Sequence, residues 1–401
     1  MIKGNLMTLI IGIYFSLIGL LDPANRTFFL IRNLYLVGLA YLCLILLVFH
    51  LDKITRFSKK CVIMLIVLSY SGFIPTLIYS LNNPNYEISQ YMRVLLHVPI
   101  VLYVIIHCLD LRKYLINFSF LFNGIALYQL LLLNQVGRVG SLFSHPNFYS
   151  IYLTVIVVFI LEQIVINREK KNIFHILYIV LILFIILFGT GARASFAIII
   201  GLLIFTLLLL TKNKVKSIVI LCCLGMLGLG IFYLFRETLM TTRIFDMHYG
   251  HRFENQVNSF EWRELRWRAA LDGFFDSNIL AQIFGTGWQS SPFVSRRFYG
   301  FSMHNEYLRI LIDFGIAGLV SYIIVLFNLL KLGFQRKREE GYFALTLLLV
   351  LIIVASYTEN IFVSSESFSI LVGTLATTLG IINKDKMAQQ KDIKINCLLK
   401  T

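Results

Sequence analysis

The feature that most constrains this chain is a succession of apolar runs, each close to the length needed to cross hydrocarbon. A bilayer core about 30 Å thick takes ~20 helical residues. Only helices and closed barrels satisfy the backbone there. The runs are continuous rather than alternating, so they read as helices. About twelve approach spanning length, near 5–21, 30–50, 61–81, 93–109, 114–133, 147–166, 173–188, 194–210, 217–236, 305–330, 342–357 and 361–382. Of 401 residues, 58% are hydrophobic and only 14% charged. That excludes a soluble multidomain protein or a disordered chain, because so much apolar surface needs lipid around it. The first run follows Lys3 but lacks a small-residue cleavage pattern, and it precedes the other runs. It reads as an uncleaved anchor.

A net charge of +15 invites a nucleic-acid partner, but the distribution fits membrane topology instead. Tracing the spans puts every lysine on the side of the N-terminus. The opposite side carries fourteen basic residues, all arginine, from Arg26 to Arg309. Lysine and arginine collect on the cytoplasmic side of short loops, so both termini are expected inside. An outer face with arginine alone has two readings. These arginines pair with nearby carboxylates, or some offer their planar forks to a phosphorylated group at the interface.

The connections are short, with one exception. Residues 1–236 hold the first nine spans and 237–304 form one long outer loop. Residues 305–382 hold the last three spans, and 383–401 a cytoplasmic tail. A loop of that length inside a compact protein is generally functional. Within it, Trp262, Leu265, Ala269, Ala270 and Phe274 recur at helical spacing, which predicts a helix that lies on the membrane or caps a cavity. Gly285, Gly287 and Pro292 mark turns beyond it. The six cysteines lie in spans or toward the inside, without the spacing or histidines of a zinc site. Neither an outer disulfide nor a metal centre is expected.

Four outer stretches carry candidate chemistry. GRVGSLFSHPN holds Arg138, His145 and Asn147, and Pro146 there suits a first helical position. FGTGARASF puts Arg193 in a tight turn beside apolar helices. A charge near a helix centre costs roughly 2.5–3.5 kcal/mol, less near an end, which favours a functional reading. WRELRWRAALDGF holds Arg263, Arg266, Trp267 and Arg268. Glu264 and Arg268 are spaced for a plain helix pair, whereas Arg263 and Arg266 are spaced to face one anion. SMHNEYLRILIDFGIAG opens a span with His304 and Asn305, followed by Glu306, Arg309 and Asp313. Histidine is suited to accept a proton from a hydroxyl near neutral pH.

In this order the four stretches resemble the O-antigen ligase and O-antigen polymerase superfamily of bacterial membrane glycosyltransferases. The resemblance is carried by Gly137, Arg138, Gly140 and His145-Pro146-Asn147, by Thr190 and Arg193, and by Arg263, Trp267, Gly285 and Gly287. It continues through His304, Asn305 and Leu308 with Gly315 and Gly318. Ala192 stands where the family commonly has serine before the arginine, so a role for that hydroxyl is absent.

The resemblance implies an all-α polytopic protein of about 12 transmembrane helices with one long extracytoplasmic loop, a glycosyltransferase bundle of the GT-C kind. It implies a bacterial inner-membrane enzyme whose site faces outward. The expected donor is a glycan on a polyprenyl diphosphate. The expected acceptor is a sugar hydroxyl, attacking with inversion. His304 is then the general base, and Arg193 and Arg263 stabilise the leaving diphosphate. Arg138, Arg266, His145, Asn147, Asn305 and Trp267 bind substrate. Fixed arginine charge would replace a metal, and no cofactor is implied. A chain-length regulator and a flippase are implied as pathway companions. The abundance of Ile, Leu, Asn and Lys inclines the reading to a polysaccharide polymerase, with a ligase next. A flippase or transporter is the non-enzyme alternative, and it would need functional charge within spans rather than at one face.

Overall fold

The protein is described here by a computed structural model that covers residues 2–17, 26–49, 54–55, 57–61, 63–64, 73–82, 89–133, 139–143, 145–166, 173–210, 215, 226, 233, 259–294, 300, 302–336, 339–359, 361–362 and 365–398. Every regular element among these residues is helical. In chain order they are α1 (Ile2–Leu17), α2 (Arg26–Val48), α3 (Phe73–Asn82), α4 (Ser89–Ile106), α5 (Arg112–Leu131), α6 (Pro146–Ile166) and α7 (Ile173–Phe184). A π-helical turn (Ile185–Thr190) extends α7. Then follow α8 (Arg193–Leu210), α9 (Ser259–Phe275), α10 (Ile279–Phe284), α11 (Ser291–Val294), α12 (Glu306–Gln335), α13 (Tyr342–Thr358) and α14 (Ser365–Leu398).

Among the described residues five helical stretches are long and apolar enough to cross a membrane: Arg112–Leu131, Pro146–Ile166, Ile173–Thr190, Glu306–Gln335 and Ser367–Gln390. Shorter apolar helices accompany them in α1, α2, α4, α8 and α13. All but two residues of the run expected at 217–236, and residues 62 and 65–72 of the one at 61–81, lie outside the described residues. Burial sorts the bundle into centre and rim. The apolar window of α6 is 83% buried and that of α14 78%, against 33% for α5 and α12 and 39% for α7. A helix apolar on every side belongs in the middle, and one with a single packed face at the lipid. Polar bonds stitch the centre: Tyr149 donates to Asn123 Oδ1 at 2.6 Å, Asn123 Nδ2 to the Tyr178 hydroxyl at 2.8 Å, and Tyr152 to the Leu115 carbonyl at 2.6 Å.

The two ends of α6 carry different polar clusters. At its C-terminal end, buried Glu162 accepts from Arg112 Nη1 at 2.8 Å and from the Gly341 amide at 2.6 Å. Arg112 also holds Asp110 and Glu340. At its N-terminal end, Asn147 bonds Glu359. Fifteen helical residues separate these points, about 22 Å. The basic stretches around Arg112 and Arg336 therefore share one end of the bundle, and His304 lies at the other.

The apolar run read as one unbroken span at 305–330 is divided. Gly315, at φ 70° and ψ −172°, interrupts α12. The carbonyls of Ile312 and Asp313 accept instead from the amides of Thr286 at 3.1 Å and Gly287 at 2.8 Å. Lipid-type exposure of large apolar side chains starts past the break, with Ile316, Val320, Ile323, Ile324 and Phe327. α14 continues as helix to Leu398, through the residues expected as a tail.

Candidate active site

The site lies where the N-termini of α6, α8 and α12 and the C-terminus of α13 come together beneath α9. Asn147 sits in the first turn of α6. Ser150, one turn on, shares a 2.7 Å hydroxyl contact with Ser195 in the first turn of α8. That contact ties the start of α8, and so Arg193, to the start of α6. The π turn ends at Gly191, whose left-handed φ of 61° turns the chain directly into α8. Arg193 is the first residue of α8 and exposed. Arg138 lies outside the described residues, and its neighbour Val139 donates its amide to Gly189 in the π turn at 2.9 Å.

α9 spans Ser259–Phe275, as the spacing predicts, but its packed face differs. Arg266, Ala270 and Phe274 are buried, while Leu265 turns outward. Arg266 takes an inward place because its guanidinium lies 5.6 Å from the Trp262 ring centre, a cation–π contact. Arg263 bonds Glu359, while Arg266 is buried against Trp262. The Arg268–Glu264 pair forms on the exposed face at 2.6 Å. Ala270 and Phe274 join Met303 and Ile312 in a small apolar cluster that seats α9 on the start of α12.

His304 precedes α12 with φ +50°, a left-handed conformation rare for a side chain of its size. Its neighbours fix it there. Trp267 Nε1 donates to the Met303 carbonyl at 2.8 Å, and Asn305 Oδ1 caps α12 by accepting the Leu308 amide at 3.0 Å. Thus Trp267 and Asn305, read as substrate contacts, have positioning bonds of their own.

The residue that joins these parts was not singled out from sequence. Glu359 ends α13. Its Oε2 lies 3.1 Å from His304 Nδ1, and its Oε1 accepts from Asn147 Nδ2 at 3.2 Å and Arg263 Nη2 at 3.4 Å. His145 packs at the same end, its Nδ1 accepting the Asn147 amide at 3.1 Å. Burial alone would raise the Glu359 carboxyl. The His304 hydrogen bond and the charges of His304, Arg263 and His145 outweigh it, and the carboxyl is held below the ordinary glutamate value. The available signal was an isolated carboxylate at the end of an apolar run.

Behind the site lies an ion network that is buried throughout. Arg309 Nε donates to Glu306 Oε1 at 2.8 Å, Nη2 also bonds Glu306, and Nη1 donates to Asp313 Oδ2 at 2.8 Å. Asp313 in turn accepts the amides of Gln289 at 2.8 Å and Ser291 at 2.9 Å. The Arg309 guanidinium stands 4.5 Å from the Trp288 ring centre. Arg309, counted among the outer arginines, is thus committed to its own helix and to the loop after α10. Among the described residues no group of three or more His, Cys, Asp or Glu side chains is arranged to hold a metal.

As an arrangement, the site offers an imidazole oriented by a carboxylate, two arginines at the same end of the bundle, and a partly exposed face. It is equipped for proton abstraction from a hydroxyl beside an anionic group. Residues 178–323 match the sequence model of a family described as O-Antigen ligase, which supports the O-antigen ligase and polymerase superfamily that the motifs resemble. The matched segment contains Arg193, Arg263 and His304. Among curated proteins nothing matches.

Proposed function

We propose, on the premise of that family match, that the protein is a membrane glycosyltransferase that polymerises a surface polysaccharide. It takes a glycan from a polyprenyl diphosphate and joins it to an acceptor sugar hydroxyl. The single observation that carries the reading is the convergence of His304 and Arg263 on Glu359.

A carboxylate bonded to Nδ1 keeps the proton of a neutral imidazole on that nitrogen, leaving the Nε2 lone pair free. His304 Nε2 then takes the proton of the acceptor hydroxyl as its oxygen attacks the anomeric carbon. The bond from that carbon to the diphosphate oxygen breaks on the opposite face, so configuration inverts. Charge develops on the departing diphosphate, and Arg263 and Arg193 stabilise it. Arg263 is held to Glu359 by one long bond, so a diphosphate, with more charge and several acceptor oxygens, competes for its fork. Asn147 holds the carboxylate, and His145, bonded to the Asn147 amide, lines the same end. Arg138 is assigned to donor binding on the strength of its motif alone, and Arg266 to support of α9.

The family description favours a second reading in which the finished glycan passes to a different acceptor, as a ligase does. Purified protein with a lipid-linked repeat unit separates the two. Products lengthened on the lipid support the polymerase. Transfer only to a distinct lipid or protein acceptor supports the ligase. No transfer by protein that is folded and correctly inserted overturns both. An extracytoplasmic site is part of the proposal, and thiol labelling of His304→Cys in intact cells, blocked by an impermeant reagent, tests it.

A further inference from the structure

Residues 277–295 contain no charged side chain, although Asp276 precedes them and Arg296 and Arg297 follow. The polar groups of this stretch are turned to protein. Ser277 Oγ donates to Phe274 O, Asn278 caps Ala281, and Gln282 Nε2 donates to the Phe275 and Ser277 carbonyls. Ser290 Oγ donates to Asp313. Beyond the exposed Asp276 and Asn278, what the stretch and its approach present outward is apolar: Phe275, Ile279 and Leu280 are each 66% exposed, Phe284 56% and Phe293 41%. In water a continuous patch of this kind is costly.

The depth of the patch follows from α12. From Ile316 to Gln335 the helix has twenty residues, about 30 Å, the full thickness of hydrocarbon. Gly315 therefore lies at the hydrocarbon boundary nearest His304. If Lys331 marks the opposite boundary, Gly315 lies deeper still. α10 packs at this level, because a side chain on Gly315 would press into the Ile283 carbonyl and one on Gly285 into the Asp313 carbonyl. The carbonyls opened by the break are paired with Thr286 and Gly287, as backbone at membrane depth requires. On the other side, Gly287 fits against α3, where a Cβ would lie 2.7 Å from Tyr79 Cβ, and the Trp288 amide donates to Thr76 Oγ1 at 3.0 Å. A groove of about 1010 Å³ runs between α3, α10 and α12, lined by Ile78, Leu280, Phe284, Phe314 and Ala317 among others and, among the described residues, by no charged one. It is continuous with the lipid-facing side of α12.

From this continuity we infer that the segment from Ile279 to Phe293 is inserted in the leaflet nearest His304, and that hydrocarbon chains of that leaflet fill the groove. The loop is thus anchored in lipid on one side and bonded to the break in α12 on the other. α9, with Arg263 and Trp267, hangs from this anchor.

The test uses the full chain in proteoliposomes, with its native cysteines replaced and single spin labels at Leu280→Cys, Phe284→Cys or Arg268→Cys. Collisional access to oxygen, which partitions into lipid, is compared with access to a water-soluble nickel chelate. The inference expects the oxygen-to-nickel ratio at positions 280 and 284 to exceed that at 268 several-fold. Equal or lower ratios at 280 and 284 overturn it. The unsubstituted chain gives a second reading: a phospholipid carrying a diazirine on its acyl chain labels residues between 279 and 293. Labelling confined to the transmembrane helices overturns the inference. Neither readout depends on glycosyl transfer, so its failure is distinct from failure of the proposed reaction.

Discussion

His304 Nδ1 lies 3.1 Å from Glu359 Oε2, across fifty-five residues of chain and between the start of one helix and the end of the next. The contact gives the imidazole a fixed orientation and a defined proton position, which a histidine on a free loop lacks. It also places one carboxylate between His304 and Arg263, so the proposed proton acceptor and the proposed anion-binding charge share a mount.

His304→Ala removes the base. Loss of general-base catalysis costs about 10²- to 10⁴-fold in rate. Elongation of a lipid-linked repeat unit should fall by that order while membrane levels of the variant, read by immunoblot, stay near those of the parent. Undiminished elongation would remove His304 from the mechanism.

Glu359→Gln keeps the shape and loses the charge. A carboxylate that orients a general-base histidine contributes up to about 10⁴-fold, and the drop should appear in kcat more than in KM. The pH dependence has a definite sign. The folded carboxyl is held below its unfolded value, so its stabilisation is present above the ordinary glutamate range and is lost as pH falls through the lower, folded value. Thermal unfolding of the detergent-solubilised parent should exceed that of Glu359→Gln at neutral pH and converge with it in acid. A gap that is constant with pH would show that the charge contributes nothing.

Arg309→Met leaves Glu306 and Asp313 buried without their cation. Breaking a buried ion pair from one side costs about 3–5 kcal/mol. Denaturation of the purified protein by an ionic detergent should reflect this, whereas Arg268→Ala, on the exposed face of α9, should change stability by less than about 1 kcal/mol. Similar curves for the two variants would mean that the network is not structural.

Gly315→Ala and Gly285→Ala each put a methyl group into a facing carbonyl at a left-handed φ. The backbone conformation alone, positive φ with extended ψ, costs about 1–3 kcal/mol for a non-glycine residue, before the clash. Both variants should insert poorly or unfold early. Gly201→Ala, whose methyl group meets nothing within 4 Å, should behave as the parent does in the same assay.

The site was only partly legible in sequence. Arg193 stood out because charge beside apolar helices is costly, Arg263 by its spacing, and His304 as a group that titrates near neutral pH, all three within the motifs of the superfamily. Glu359 did not, because one glutamate at the end of an apolar run is ordinary until its partners are known, and those partners lie 55 and 96 positions away. Arg309 was read as an outer arginine for the same reason. Its carboxylates are one helical turn away on either side, but whether such a trio is solvated or buried depends on what packs over it. Leu265, expected on the packed face of α9, turns outward and Arg266 is buried, because helical spacing does not register the Trp262 ring that shelters a guanidinium.

Sequence by itself determined that the chain is helical and membrane-integral, because apolar runs of spanning length leave a backbone in lipid no other open form. It also determined which charges sit at helix ends, since burying them deeper is expensive. Tertiary structure alone decided which of those charges meet, where α12 breaks, and that the loop after α9 supplies the hydrogen bonds the break needs. These depend on contacts between segments far apart in the chain. Hydropathy along one segment records how much surface must be buried, and not which partner buries it.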